Sequence, residues 1–129
     1  MPMGAKIVPL TESSFETIAL RELDAMPVED RDALDFGVVG FAADTVVQVY
    51  NATEARMSGL DPATVMGVPF FEAVAQCMNN FMVAQRFEDE PDIDAVIPYV
   101  LTLRMRPTRV RLRLLAVADL PRRYLLIER

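Results

Sequence analysis

Four helix-breaking residues divide the middle of this chain into pieces that are too short for a long helix. Gly59, Pro62, Gly67 and Pro69 interrupt residues 51–87, so only short helical turns fit there. Runs of apolar and β-branched residues on both sides of this segment predict strands at 36–41, 46–50, 96–105, 110–117 and 123–128. This order favours an α+β fold, in which five antiparallel strands form one sheet with short helices on one face.

The N-terminal part of the chain reads as a helical cap on a single domain. Residues 11–26 predict an amphipathic helix that ends near Pro27, with an apolar stripe of Phe15, Ile18, Ala19 and Leu23. We therefore assign 1–33 to the cap and 34–129 to the main domain. Two further helical pieces and an acidic loop are predicted at 70–77, 78–87 and 88–92.

Charge is unevenly distributed along the chain. The net charge is −6, yet residues 100–129 carry eight arginines and two acids. Alternation of Arg109, Arg111 and Arg113 with apolar residues indicates a half-buried strand. Either the chain's own acidic segments cover this arginine face, or the face docks an acidic partner. Nucleic acid fits less well, because the chain is acidic overall and aromatic residues are not interleaved with the arginines.

Composition limits the classes of function. The chain has no histidine and one cysteine, which argues against the usual zinc, copper or haem sites and excludes histidine-based acid–base catalysis. A single cysteine cannot form an internal disulfide, and we read no secretory signal at the start and no apolar run long enough to span a bilayer. These features predict a cytoplasmic protein that binds neither membrane nor nucleic acid.

Three polar residues recur at a spacing of four. Tyr50, Glu54 and Ser58 share one face if the chain is helical there, and Cys77 follows a short way downstream. Such a group can hold a polar or anionic end of a ligand while the thiol anchors the other end. Each residue also has a simpler interpretation: Glu54 as a solvent-facing acid, Tyr50 as a core aromatic residue, and Cys77 as an inert core thiol.

These same residues carry a resemblance to a known family. From residue 34 to residue 77 the chain aligns without a gap to the pattern of the photoactive yellow protein family, a branch of the PAS domains. The matching pieces are Phe36-Gly37, Tyr50-Asn51-Ala52, Glu54, Gly59, Asp61-Pro62, Val65, Gly67, Phe70-Phe71, Val74-Ala75 and Cys77. A second match, at 105–110, resembles the family's turn between its fourth and fifth strands. The resemblance implies a PAS fold.

The resemblance also implies a light sensor. In the family the cysteine carries 4-hydroxycinnamic acid as a thioester, which would make Cys77 the attachment site. The resemblance implies that Tyr50 and a protonated Glu54 donate hydrogen bonds to the phenolate end of this group. It also implies that Ser58 supports Tyr50 and that Phe70 and Met105 pack around the group. Light would isomerise the double bond, and a proton would pass from Glu54 to the phenolate. The carboxylate left behind, buried without a partner, would loosen the N-terminal cap and signal to a partner protein.

Some positions depart from the family pattern and leave an alternative open. Leu60 stands where an arginine is usual, Leu101 and Leu103 replace aromatic residues, and Met78 replaces a small polar residue. The alternative is an unpigmented PAS module that acts as a homodimer or a partner-binding scaffold. An enzyme that uses Cys77 as a nucleophile is not expected, because no base lies near it in the sequence.

Overall fold

The computed structural model describes residues 14–102 and 106–129. It contains a five-stranded antiparallel sheet, which confirms the predicted α+β architecture. The strands lie in the order β2-β1-β5-β4-β3, and every pair of neighbours is antiparallel. Their bounds are β1 Gly37–Phe41, β2 Val47–Tyr50, β3 Ile93–Leu101, β4 Thr108–Ala116 and β5 Arg123–Glu128. The last strand therefore lies in the centre of the sheet, next to the first.

Alternation along the strands builds a core on each face of the sheet. In β1, Val39 and Phe41 belong to one cluster of buried residues, which we call the main core. Val38 belongs to the cluster on the opposite face, which includes Phe15 and Ile18 and which we call the cap core. All five residues of β1 are buried, because both faces are covered.

The helices are short, as the helix-breaking residues predict. They are α1 Leu20–Ala25, α2 Val28–Asp32, α3 Ala52–Ser58, α4 Pro62–Val65 and α5 Ala84–Asp89, together with a π-helical turn at Phe70–Val74 and a 3₁₀ turn at Gln76–Met78. Gly59 ends α3 with a φ of 78°, in the left-handed region where glycine avoids the steric penalty of a side chain. Pro62 occupies the first turn of α4, where its missing N–H removes no helical hydrogen bond.

The predicted long N-terminal helix is wrong over most of its length. Residues 15–17 form a turn, and within the described residues the helix at 11–26 is reduced to α1. Ala19 is exposed, whereas Phe15, Ile18 and Leu23 are buried in the cap core. Three of the four residues of the predicted apolar stripe are therefore buried as expected, but an irregular segment, and not a long helix, places them against the sheet. Residues 11–13 lie outside the described part of the chain.

Other element boundaries also differ from the predictions. The helix predicted at 78–87 lies at Ala84–Asp89, so Glu88 and Asp89 belong to a helix and not to the predicted acidic loop. The strand predicted to begin at residue 96 begins at Ile93. The strands predicted at 110–117 and 123–128 match β4 and β5 closely.

Acidic residues of the same chain cover much of the arginine face. Arg111 pairs with Glu16 and Glu128, and Arg113 pairs with Asp94. Arg113 is 5% exposed and also donates to the backbone oxygens of Phe15 and Ile18, at 3.0 and 2.7 Å. These contacts support the self-covered interpretation and fasten the N-terminal segment, residues 14–33, to the sheet.

No helix among the described residues combines the length and apolar character that crossing a bilayer requires. Within 14–102 and 106–129, no group of three or more cysteine, aspartate or glutamate side chains could hold a metal ion.

Candidate functional site

The end of β2 and the helix that follows it bring the three predicted polar residues together. Tyr50 is the last residue of β2, and Glu54 and Ser58 lie on α3. The Tyr50 hydroxyl and Ser58 Oγ are 2.9 Å apart, within hydrogen-bond distance. All three side chains are buried, and Glu54 is only 2% exposed, so its interpretation as a solvent-facing acid is wrong.

Asn51 fixes the start of α3, and the sequence analysis did not assign it this role. Its side-chain oxygen accepts from the backbone N–H groups of Glu54 and Val38, at 3.0 and 2.9 Å. Its amide nitrogen donates to the backbone oxygens of Arg31 and Phe36, at 2.9 and 3.1 Å. One buried side chain therefore joins the site helix to β1 and to the N-terminal segment. An asparagine before a helix was the available signal.

The Tyr50 phenol stays protonated over the physiological pH range. Burial raises the pKa of Tyr50 to about 12 as the largest effect, and the negative charge of Glu54 adds to it. The hydrogen bond from Ser58 and the positive charge of Arg129 act in the opposite direction. Tyr50 is thus a neutral hydrogen-bond donor that sits among charged groups.

The raised pKa of Tyr50 predicts a specific loss of stability at high pH. A tyrosine has a pKa near 10 when unfolded, so this contribution is complete below pH 10 and is lost as pH rises through the folded pKa of about 12. The free energy of unfolding should fall by at most about 2–3 kcal/mol over this interval, at about 1.4 kcal/mol per pKa unit and less where solvent screens the charge. Urea unfolding at pH 9 and pH 11 should show a smaller decrease for Tyr50→Phe than for wild type. Equal decreases in the two proteins would contradict the assignment.

Glu54 forms a buried ion pair with Arg129, which follows β5. Arg129 Nη1 lies 2.7 Å from Oε1 of Glu54, and Nη2 lies 3.1 Å from Oε2, so the two planar groups meet in a fork. The Arg129 side chain is 13% exposed. This partner was not predicted, because 75 positions separate the two residues and the arginines of this region were interpreted as one face.

Opposing effects act on the Glu54 carboxyl. Burial raises the pKa of Glu54 above its usual range, and the hydrogen bonds and charge of Arg129 lower it by a smaller amount. The carboxylate without a partner was expected only after a proton had passed from Glu54 to a ligand. In this structure Arg129 donates to both oxygens of Glu54, a contact that was not predicted.

Cys77 lies in a 3₁₀ turn, where its backbone is held firmly. Its thiol is free and its side chain is half-buried against the main core. The backbone oxygen of Cys77 accepts from the Tyr99 hydroxyl at 2.6 Å and from Asn80 Nδ2 at 3.2 Å. Asn80 also donates to the Tyr99 hydroxyl at 2.7 Å. Two polar residues that the sequence analysis did not single out therefore fix the position of the cysteine.

The main core connects Cys77 with Tyr50. Tyr50 and Phe70 are members of this core, and Cys77 packs against it. The residues that depart from the family pattern lie in the same place: Leu101 and Met78 are buried there, and Leu60 packs against it. Met105 and Leu103 lie outside the described residues. A cleft of about 300 Å³ reaches Tyr50 from the side of α2, and Cys77 does not line it.

Comparison with known proteins identifies the family. No family model matches the chain. A photoactive yellow protein from Halochromatium salexigens is 33% identical over 92 residues, which make up 69% of this chain and 74% of that relative. The chain belongs to the photoactive yellow protein family. A second photoactive yellow protein, from Rhodothalassium salexigens, is 30% identical over 86 residues, 64% of this chain and 69% of the relative.

Solved structures share the fold of this chain, and one of them comes from the photoactive yellow protein family. The photoactive yellow protein domain of the sensor histidine kinase Ppr from Rhodospirillum centenum is 31% identical, with a TM-score of 0.78 over 84% of this chain and 98% of that one. A PAS domain of an HTR-like protein from Haloarcula marismortui, 18% identical, shares the fold with a TM-score of 0.63 over 85% and 98%. Domains of the photoactive yellow protein family are non-enzymatic signalling modules, and this chain belongs to that family.

Proposed function

We propose that this member of the photoactive yellow protein family is a light sensor with 4-hydroxycinnamic acid bound as a thioester to Cys77. The observation that carries the proposal is that Cys77 packs against the same core that contains Tyr50. A flat conjugated acid could then be tethered by the thiol and hydrogen-bonded at its phenolic end. When bound, this group would supply absorption of light and isomerisation about its double bond.

Of the three residues implied to hold this group, Cys77 and Tyr50 fit it and Glu54 does not. The Cys77 thiol is free and borders apolar residues, as an attachment site requires. Tyr50 keeps its proton and has Ser58 as a hydrogen-bond neighbour, so it can donate toward a phenolic oxygen. Glu54 does not fit the role of a neutral donor while Arg129 binds both of its oxygens. A proton could leave Glu54 only in a state in which that pair is broken.

The N-terminal segment is the part of the protein that would transmit the signal of such a sensor. Asn51, which caps the site helix, donates to the backbone oxygen of Arg31 in α2. A movement of α3 would therefore be transmitted directly to residues 14–33. We propose that residues 1–33 act as a cap on the domain of residues 34–129. A change at the site would loosen this cap and present it to a signalling protein in the cytoplasm.

Reconstitution tests the attachment site. Purified protein is mixed with an activated ester of 4-hydroxycinnamic acid, and intact mass and absorption spectra are recorded. We expect a single adduct on wild type, none on Cys77→Ala, and an adduct with a displaced absorption band on Tyr50→Phe. Because Cys77 is the sole thiol of the chain, the alanine variant is a complete control. Uptake of pigment by that variant would refute the proposal.

One observation favours an alternative, the unpigmented PAS scaffold. Within the described residues every buried polar side-chain atom already has a hydrogen-bond partner, and Leu101 and Met78 fill the main core. A core that is complete without a ligand can serve as a platform for a second copy or another protein. Failure of wild type to take up the activated ester, together with salt-dependent self-association in analytical ultracentrifugation, would favour this function.

A further inference from the structure

The N-terminal segment leaves a stripe of apolar side chains uncovered on its own face of the sheet. Asp94 of β3 binds Arg113 on this face, where Arg113 also donates to the backbone of the segment. The next residues of the same alternation therefore lie there too: Val96, Pro98 and Val100, which we call the β3 stripe. All three are exposed, Val96 by 44% and Val100 by 50%. Exposed apolar side chains that cluster in this way are typical of an interaction surface.

Pro98 determines how a partner can dock on the β3 stripe. β3 is an edge strand, and an open edge can in general pair with a strand of another molecule. Proline lacks the N–H that such pairing needs, so its place in the middle of β3 disfavours the addition of a strand. The face of the stripe, and not its edge, is therefore the surface on which a partner packs.

Two arginines at one end of the β3 stripe add positive charge to it. Arg109 of β4 lies opposite Val100 of β3, and Arg106 lies just before β4. Both arginines are exposed, and neither forms an ion pair within 14–102 and 106–129. Arg111 and Arg113 are, in contrast, already paired with carboxylates. The acidic residues that cover the rest of the arginine face therefore leave this end of the stripe positively charged.

Helix α2 of the same chain has the complementary surface. Val28 is 61% exposed, and the next two residues, Glu29 and Asp30, are exposed acids. Among the described residues neither acid has an ion-pair partner. The base of this helix, Arg31, is half-buried and lies 3.4 Å from the Tyr124 hydroxyl, to which it donates. α2 therefore presents an apolar side chain beside negative charge.

The strand registers place α2 and the arginines of the stripe at the same end of the sheet. α2 precedes Gly37, the first residue of β1, and Gly37 pairs with Ile127 of β5. Ile127 in turn pairs with Leu112 of β4, and Arg109 lies beyond this row on the side of α2. Across the sheet the two surfaces are far apart, because Val28 borders a cleft beside β2 and the stripe lies on β3, at the other edge.

We propose that the protein forms a homodimer in which α2 of each protomer packs on the β3 stripe of the other. A two-fold axis that runs along the strands, above the face that carries the N-terminal segment, turns the β2 edge of one protomer over the β3 edge of the other. The acids of α2 then meet the arginines of the stripe twice, and the symmetry closes the assembly at two copies. The contact needs no ligand on Cys77, so it does not depend on the proposed function.

Charge reversal with complementation tests this dimer. Sedimentation velocity of the full, ligand-free chain should show a monomer–dimer equilibrium that added salt shifts toward the monomer. Arg109→Glu should weaken the dimer about tenfold or more, and so should Glu29→Arg combined with Asp30→Arg, because like charges then face each other. An equimolar mixture of these two variants should dimerise as wild type does. In that heterodimer one contact has the wild-type charges and the other has both charges reversed.

A matched control separates this contact from a general effect of net charge. Glu72→Arg combined with Glu88→Arg makes the same change of charge at two exposed acids on the other face of the sheet. This variant should dimerise as wild type does, and mixing it with Arg109→Glu should not restore the dimer of the latter. A wild type that stays monomeric at about 1 mM would overturn the proposal. So would failure of the complementing mixture, or equal restoration by the control.

Discussion

Replacing Asn51 with alanine is expected to lower the free energy of unfolding by about 4 kcal/mol, because four hydrogen bonds of a buried side chain are lost together. Asn51 is 2% exposed, so water cannot replace its contacts without opening the junction between α3, β1 and the N-terminal segment. Urea unfolding at pH 7, followed by circular dichroism, measures the change.

Asp61 provides a matched control for Asn51. It also caps a short helix, with its side chain accepting from the backbone N–H of Ala63, but it is exposed. Asp61→Ala should therefore cost about 1 kcal/mol, the usual price of a lost helix cap. Asn51→Ser can still cap α3, yet it lacks the amide that donates to Arg31 and Phe36, so it should recover only a small part of the loss. Similar effects at positions 51 and 61 would contradict this account.

Replacing Arg113 with methionine is expected to release the N-terminal segment and to lower the free energy of unfolding by about 3 kcal/mol. The backbone oxygens of Phe15 and Ile18 would lose a charged donor at a buried position. Methionine keeps much of the apolar stem, so the effect reports mainly the lost hydrogen bonds. Limited proteolysis should show faster cleavage within residues 14–33 of the variant, and urea unfolding should show the lower stability.

Asp94→Asn separates the ion pair from these backbone contacts. Asp94 binds Arg113, but its side chain is 61% exposed, so the loss of its charge should change stability by less than about 1 kcal/mol. Cleavage of the N-terminal segment should stay near the wild-type rate. If Asp94→Asn and Arg113→Met accelerated cleavage equally, the ion pair and not the backbone contacts would hold the segment.

Sequence reasoning succeeded where short-range patterns decide structure. The helix-breaking residues between 59 and 69 limited the helices to short turns, and alternation along 109–114 marked β4. The spacing of Tyr50 and Ser58 predicted that their side chains lie together, and their hydroxyl groups are 2.9 Å apart. The predicted helical turn is wrong for Tyr50, because Tyr50 ends β2 and only Glu54 and Ser58 lie on α3. These features depend on residues within a few positions of one another, and a linear sequence shows such relations directly.

The prediction of a long N-terminal helix failed because tertiary contacts outweighed the local preference for a helix. Phe15 and Ile18 have the spacing of a helix, but their backbone oxygens accept from Arg113 instead of taking part in a longer helix. A buried guanidinium with three donor nitrogens can hold an irregular segment as firmly as helical hydrogen bonds do. Nothing in residues 11–26 alone reveals that donor.

The sequence by itself determined the family, the fold class and the candidate ligand-binding residues, because these follow from local patterns and a gapless motif. Only the tertiary structure decided the electrostatic state of the site. Glu54 acquires its partner because β5 lies beside β1 in the centre of the sheet and carries Arg129 past Gly37. Charges interact according to their distance in space, and the chain order gives that distance only after the strands have paired.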